Sequence, residues 1–360
     1  MAKKEAVNET PESLFPTWHY DDIKRHVPDL SYNILGNGFI KAGAGTLLTG
    51  STGMGKSVLA MQLALCVASG RDFLRKSPLI GLKCEVPRRV LYIQAENDLD
   101  TVQSVVLSIV QQLELDEGCV RRNFIVQHVY GVTDMDFGYY FRDAVDYFKP
   151  ELVVVDPYQS YVDQDLNSSS TFRRWVAIPE AVMKDKAVAM LLVCHKGKPR
   201  DTESWDVREL VYQQMGSSVQ ANWARASMEL SVVKSDLRRF CLTFSKNAVR
   251  TGMVNEDGTP VRRLFIEQSR LLDMPLWEVC DDQHGEFRIN YTEEIRKFLA
   301  KNPGASRRKV AMFLGCSIGV VQKYWPKDLG EAPSPPDDRE AQVGDVPPRQ
   351  DEEESPPFIS

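Results

Sequence analysis

The run Gly50-Ser51-Thr52-Gly53-Met54-Gly55-Lys56-Ser57 has the residue types and spacing of a phosphate cradle. It fits the pattern G-x-x-x-x-G-K-[ST]. Glycines let the backbone curl until successive N–H groups converge on phosphate oxygens, and the helix that follows adds its positive N-terminal dipole. Lys56 then supplies a fixed cation for the β- and γ-phosphates, and the Ser57 hydroxyl is a ligand for Mg²⁺. The expected ligands are therefore ATP and Mg²⁺. The context agrees: Thr46-Leu47-Leu48-Thr49 leads in as a buried strand. Val58, Leu59, Met61, Leu63, Ala64 and Val67 lead out at helical spacing.

Further chemistry-bearing residues stand at strand ends. Asp156 closes the apolar run Leu152 to Val155, where an acid receives Mg²⁺, usually through a water. Glu96 follows Val90-Leu91-Tyr92-Ile93 and can polarise the attacking water, with Asp98 as the alternative base. His195 closes Met190 to Cys194, a position from which a polar side chain senses the γ-phosphate and moves the loop behind it. That loop carries Lys198, Arg200 and Trp205, and cations with an interleaved aromatic suit single-stranded nucleic acid. Lys246 and Arg250 follow a late strand. From the far sheet edge they reach a neighbour's nucleotide more readily than their own, as an arginine finger does, and Arg225 is a weaker candidate for the same task.

Apolar strands alternate with amphipathic helices from about residue 31 to 280, the pattern of a parallel sheet covered on both faces. Helices are expected from Leu99 to Leu113 and from Phe137 to Phe148, and strands at Phe124 to Val126 and Ala187 to Cys194. Ser227 to Val233, Arg239 to Phe244 and Arg263 to Ile266 read as an antiparallel extension at one edge, with Asn255 to Gly258 a hairpin-like tip. Residues 1–30 read as a polar arm in which Trp18, His19 and Tyr20 can anchor to the body or to a neighbouring subunit.

Residues 291–327 form a separate unit with helix-turn-helix spacing. Ile295, Phe298 and Leu299 share a face, Ser306 is placed to cap Arg307 to Leu314, and Ser317 to cap Ile318 to Trp325. On the last helix Gln322 can read a base edge and Lys323 can hold phosphate, with Arg307 and Arg308 on the helix before it. Val321 and Tyr324 should pack inward. Residues 328–360 are rich in Pro, Asp and Glu and are expected to be a disordered acidic tail.

The chain's net charge of −6 argues against a strongly basic nucleic-acid binder, but the charge is uneven. Residues 291–327 hold eight Lys/Arg against two Glu, and residues 328–360 hold ten acids against two Arg. No apolar stretch approaches the ~20 residues that cross a bilayer, so no membrane partner is expected. The N-terminal residues turn polar at once, without a secretory pattern. Seven scattered cysteines without C-x-x-C pairing point to reduced thiols in a cytoplasmic protein, not to disulfides or zinc.

Several pieces in order resemble the RecA-like ATPases, and within them the RepA-type hexameric helicase group, AAA-labelled proteins of plasmids and phages. They are Ile40 to Gly50 running into the phosphate loop, Ala68 to Phe73, Arg89 to Glu96, Leu152 to Asp156, Leu192 to His195, and Gly216-Ser217-Ser218 leading to Ala224-Arg225. The resemblance spans roughly residues 31–270. It implies a RecA-like α/β core in which Lys56 and Ser57 bind phosphate and Mg²⁺, Glu96 is the catalytic glutamate and Asp156 the Walker B acid. It further implies that His195 is the strand-end sensor and that Lys246 and Arg250 are lent to the adjacent subunit of a ring, with the loops after Asp156 and His195 facing its channel. The chain departs from the group in having Glu96-Asn97-Asp98 where Glu-Asp is usual, and in the wide Lys-x-x-x-Arg spacing of its cations. The expected function is a Mg²⁺-dependent ATPase ring on DNA, a helicase or replication protein. An ATP-switched DNA-binding regulator that unwinds nothing uses the same residues. A RecA-type signalling ATPase is disfavoured by the basic module, and a small-substrate kinase by the absence of an arginine-rich lid.

Overall fold

Strands buried on both faces read as continuous apolar runs, and here they sort their side chains alternately into two cores. Leu47, Leu91, Val153 and Leu192 point to one side of the sheet; Leu48, Tyr92, Val154 and Leu191 point to the other. The computed structural model describes residues 17–74, 77, 79–163, 168–195, 218–233, 236–255, 257–269, 276–280, 291–314 and 318–326. The chain divides into two units, residues 1–285 and 286–360.

In the first unit the elements run α1 (Tyr20–Arg25), β1 (Asn33–Leu35), β2 (Ile40–Lys41), β3 (Gly45–Gly50), α2 (Lys56–Ser69), β4 (Val90–Gln94), α3 (Leu99–Gln112), α4 (Glu117–Asn123) and β5 (Phe124–His128). They continue with α5 (Asp134–Phe148), β6 (Leu152–Asp156), α6 (Ser169–Lys186), β7 (Ala189–His195), α7 (Ser218–Trp223), β8 (Ala226–Val233), β9 (Asp236–Phe244), β10 (Arg263–Ser269) and β11 (Leu276–Val279). Among the described residues, nine strands form one sheet in the order β11-β10-β9-β8-β3-β7-β6-β4-β5, beside a small β1-β2 pair. The six strands from β8 to β5 are parallel, and β9, β10 and β11 add on antiparallel. This is an α/β fold with a RecA-like core.

One expectation changes in detail. The sequence reads Ser227 to Val233 as part of the antiparallel extension, yet β8 runs parallel to β3, with Thr46 opposite Ala226 and Gly50 opposite Leu230. The extension therefore starts at β9. Its apolar composition does not reveal direction, because a buried strand reads the same in either sense and only its pairing with β3 sets it.

Helix α2 is apolar nearly all round, and a helix of that kind is buried all round. The sheet covers one side, and β11 comes back over another. Gln62 on α2 donates to the Trp277 carbonyl at 2.8 Å and accepts from the Trp277 N–H at 2.9 Å. Helix α3 packs beside α2 through Val102, Val105 and Ile109, as its spacing predicts.

The second unit holds α8 (Tyr291–Lys301), α9 (Arg307–Leu314) and α10 (Ile318–Tyr324). Its small core contains Ile295, Phe298, Ala305, Val310, Ala311 and Val321. Ser306 caps α9 by accepting from the Lys309 N–H, as its position suggests. Ser317 lies outside the described residues, as do most of the arm at 1–16 and the acidic tail at 328–360.

Candidate nucleotide site

The parallel register brings the candidate groups to one level at the carboxyl ends of the strands. Gly50 on β3 stands opposite His195 on β7, and Asp156 on β6 stands opposite Gln94 on β4. Ligands of open parallel sheets bind outside such strand ends.

The loop from Gly50 to Gly55 turns the chain from β3 into α2. Gly53 has φ +79°, and nothing lies within 4 Å of where a Cβ would be, so its outer side is open. Gly55 has φ +82° and no room: a Cβ would stand 2.8 Å from the Gln268 side-chain nitrogen and 3.0 Å from the Trp277 ring. The open side suits phosphate and the crowded side fixes the loop.

Lys56 is the first residue of α2 and is buried. Its Nζ donates to the Ser51 carbonyl at 2.8 Å and to His195 Nδ1 at 3.1 Å. Burial lowers its pKa, and the nearby Asp156 opposes that shift. An ammonium only donates, so His195 Nδ1 accepts and the ring proton sits on Nε2. Nε2 faces the Glu96 carboxylate at 3.9 Å. Burial, with Lys56 beside it, holds the His195 pKa below the ordinary 6.5, which keeps the ring neutral at pH 7.

Asp156 is buried. Its Oδ2 accepts from the Tyr92 hydroxyl at 2.5 Å, while Oδ1 is buried without a hydrogen-bond partner. Burial pushes its carboxyl up, and the nearby hydroxyls of Tyr92 and Ser57 pull it back, although only Tyr92 stands at hydrogen-bonding geometry. An orphaned carboxylate oxygen beside Ser57 is a donor set that suits a hard divalent cation. The residues present thus fit Mg²⁺ held by Ser57 and Asp156, with Lys56 and the loop on the phosphates. The ion's contribution when bound is to neutralise phosphate charge.

Glu96 lies in the turn after β4 and is about half exposed. Gln94 builds that turn: it donates to the Asn97 carbonyl at 2.8 Å and accepts from the Asn97 N–H at 2.8 Å. Asp98 is engaged differently. It caps α3 by accepting from the Thr101 N–H at 2.8 Å, and that bonding holds its carboxyl below the usual range. Glu96 faces His195; Asp98 serves the helix.

Three residues at the site escaped the motif reading: Tyr92, Gln94 and Gln159. Gln159 donates to the His195 carbonyl at 3.2 Å and accepts from the His195 N–H at 3.1 Å, bracing the end of β7 from the segment after β6. A polar residue in or just after a buried apolar strand was the available signal. Lys198, Arg200 and Trp205 lie outside the described residues.

The cations proposed for a neighbour sit at the other end of the sheet. Lys246 follows β9, whose Phe244 stands opposite Met228 near the start of β8. Its Nζ donates to the carbonyls of Ala221 at 2.7 Å and Asn222 at 2.8 Å near the end of α7, and burial lowers its pKa. Arg225 stands at the same end, its N–H bonded to the Gly45 carbonyl at 2.8 Å. Arg250 is exposed. The strand β9 has neighbours on both sides, so these cations lie at the far end of the strands, not at an outer sheet edge.

On α10, Gln322 and Lys323 are both exposed, and Val321 is buried as expected. Tyr324 is not tucked inward: it is 38% exposed, with the Lys323 ammonium 5.2 Å from its ring centre. Arg307 stacks over Trp325 at 5.4 Å, which draws its guanidinium onto its own unit; Arg308 is exposed.

The fold and the site together define a P-loop nucleotide-binding ATPase core. An AAA domain family model matches residues 9–201, more than half of the chain, and the chain belongs to this family of P-loop ATPases. No curated protein matches it. The family supports ATPase activity and implies a nucleotide bound with a metal ion. Among the described residues no helix is long and apolar enough to cross a membrane.

Proposed function

We propose that this protein is a Mg²⁺-dependent ATPase that assembles as a ring, a hexamer by resemblance, and acts on DNA as a RepA-type replicative helicase of a plasmid, phage or mobile element. The observation that carries the reading is the separation of its cations. Lys56, Asp156, Glu96 and His195 gather at one end of the strands, while Lys246 and Arg250 stand at the other, the length of β3 away. Five residue steps of strand is about 17 Å, beyond the reach of an arginine side chain. A second copy brings Arg250 to the phosphates, so a complete site needs two subunits. Lys246 is already bonded to backbone carbonyls, which leaves Arg250 as the finger and Lys246 as its support.

In this reading Lys56 offsets phosphate charge and Glu96 takes the proton of the attacking water. His195, touching both, changes partner when the γ-phosphate leaves and moves the segment that carries Lys198, Arg200 and Trp205 along single-stranded DNA. The basic C-terminal unit, as a helix-turn-helix presenting Gln322, Lys323 and Arg308, directs the ring to duplex.

The test combines native mass measurement with ATPase rates and strand displacement on a forked duplex. The expected results are a closed oligomer, stimulation by single-stranded DNA, and displaced strand. A monomer at working concentration with turnover indifferent to DNA overturns the reading. Stimulated hydrolysis with an intact fork moves the assignment to an ATP-switched DNA-binding regulator.

A further inference from the structure

Nothing in the phosphate-loop pattern calls for Tyr92, yet its side chain touches both Asp156 and the backbone of Ser57. It lies on β4, buried, with its ring 6.4 Å from that of Phe124. Its hydroxyl stands 2.5 Å from Asp156 Oδ2 and 3.3 Å from the Ser57 backbone carbonyl. Both neighbours accept only, so the single phenolic proton is donated, and the shorter contact takes it. The consequence falls on the other oxygen. The hydrogen bond at Oδ2 restrains the carboxylate, and Oδ1 is left buried and unpartnered.

We propose that Tyr92 is a positioning residue for the divalent cation: by holding Asp156 Oδ2 it presents Oδ1 to the ion shared with Ser57. This rests on the Mg²⁺-ATPase reading above. The strand β4 then arranges two parts of the site from one face, because Gln94, two residues on, builds the turn that carries Glu96. Residues that orient a metal ligand are commonly worth 10–100-fold in metal affinity.

The test uses the full chain and a slowly hydrolysed ATP analogue, with binding followed by calorimetry across a Mg²⁺ titration. Tyr92→Phe keeps the ring and removes only the hydroxyl. The Mg²⁺ concentration for half-maximal tight binding should rise about tenfold or more, while analogue binding in excess chelator stays as in the wild type. A midpoint within twofold of wild type overturns the proposal, and a lower melting temperature with an unmoved midpoint assigns Tyr92 to packing alone. A second comparison makes the same test through Asp156. Added to Asp156→Asn, Tyr92→Phe should shift the midpoint no further, and a full additional shift overturns the proposal because Tyr92 would then act elsewhere. If the wild type binds no analogue at any Mg²⁺ concentration, the ATPase reading fails and this inference with it. If the wild type binds and the two midpoints coincide, only the role of Tyr92 fails.

Discussion

The two ends of the sheet treat their cations in opposite ways. At the phosphate-loop end, Lys56 is buried with its ammonium on a carbonyl and a histidine, next to a carboxylate that has one oxygen unpartnered. At the other end, Lys246 is bonded to carbonyls near the end of α7 and Arg250 is left exposed. The first arrangement suits an anionic ligand and its metal. The second has one cation already committed and one on offer. A buried charge with unused capacity marks a binding centre, and a lysine on a helix carbonyl marks structure, even when the two residues look alike in sequence.

The largest effect should come from Lys56→Ala, which removes the fixed cation for the β- and γ-phosphates. Tight nucleotide binding should be lost in calorimetry while the circular dichroism spectrum is kept; retained binding would break the contrast at its stronger end. Glu96→Gln should bind nucleotide normally and lose turnover by about 10²-fold or more. Near-normal hydrolysis would remove Glu96 as base, and Asp98 is a poor substitute because its carboxylate caps α3.

At the other end, Arg250→Ala and Lys246→Ala should separate. Inactive Arg250→Ala subunits should regain turnover when mixed with Lys56→Ala subunits, since each supplies what the other lacks. No recovery in any mixture would place Arg250 outside the reaction. Lys246→Ala should instead cost roughly 1 kcal/mol of unfolding free energy, the order expected for hydrogen bonds from a half-exposed cation, read by urea denaturation.

The smallest effect is in pH. The neutral form of His195 is favoured by folding, so the unfolded chain binds the extra proton between the depressed folded pKa and the ordinary 6.5. Stability should therefore be complete above 6.5 and fall as pH drops below it. The melting temperature of His195→Asn should decline less over that window, and parallel curves for the two proteins would show that His195 is not the group responsible.

Much of the core was legible because its signals are local. The phosphate loop, the strand-end positions of Asp156, Glu96 and His195, and the spacing of α3 each lie within a short window. What escaped depends on pairing across the chain. Gln62 and Trp277 are 215 residues apart, and Gln159 reaches His195 across 36. The direction of β8 is set by its neighbour, not by its composition. Helix α6 was missed because Pro179 sits within it and its apolar stripe is diluted by polar residues. Tyr92 reads as one more apolar residue of a buried strand; only the fold reveals what its hydroxyl meets.

The clasp between Gln62 and Trp277 also has a consequence for how the protein is made. Helix α2 emerges early in synthesis, but the strand that covers it is among the last parts of the first unit to appear. Until residue 277 has left the ribosome, the apolar stretch from Leu59 to Ala68 lacks its final cover, and the Trp277 ring that crowds Gly55 is absent. A nascent chain ending near residue 269 carries the whole phosphate-loop motif and both strand-end acids. It should nevertheless be a client of chaperones that bind apolar segments, and full competence for nucleotide should arrive only when the last strand docks.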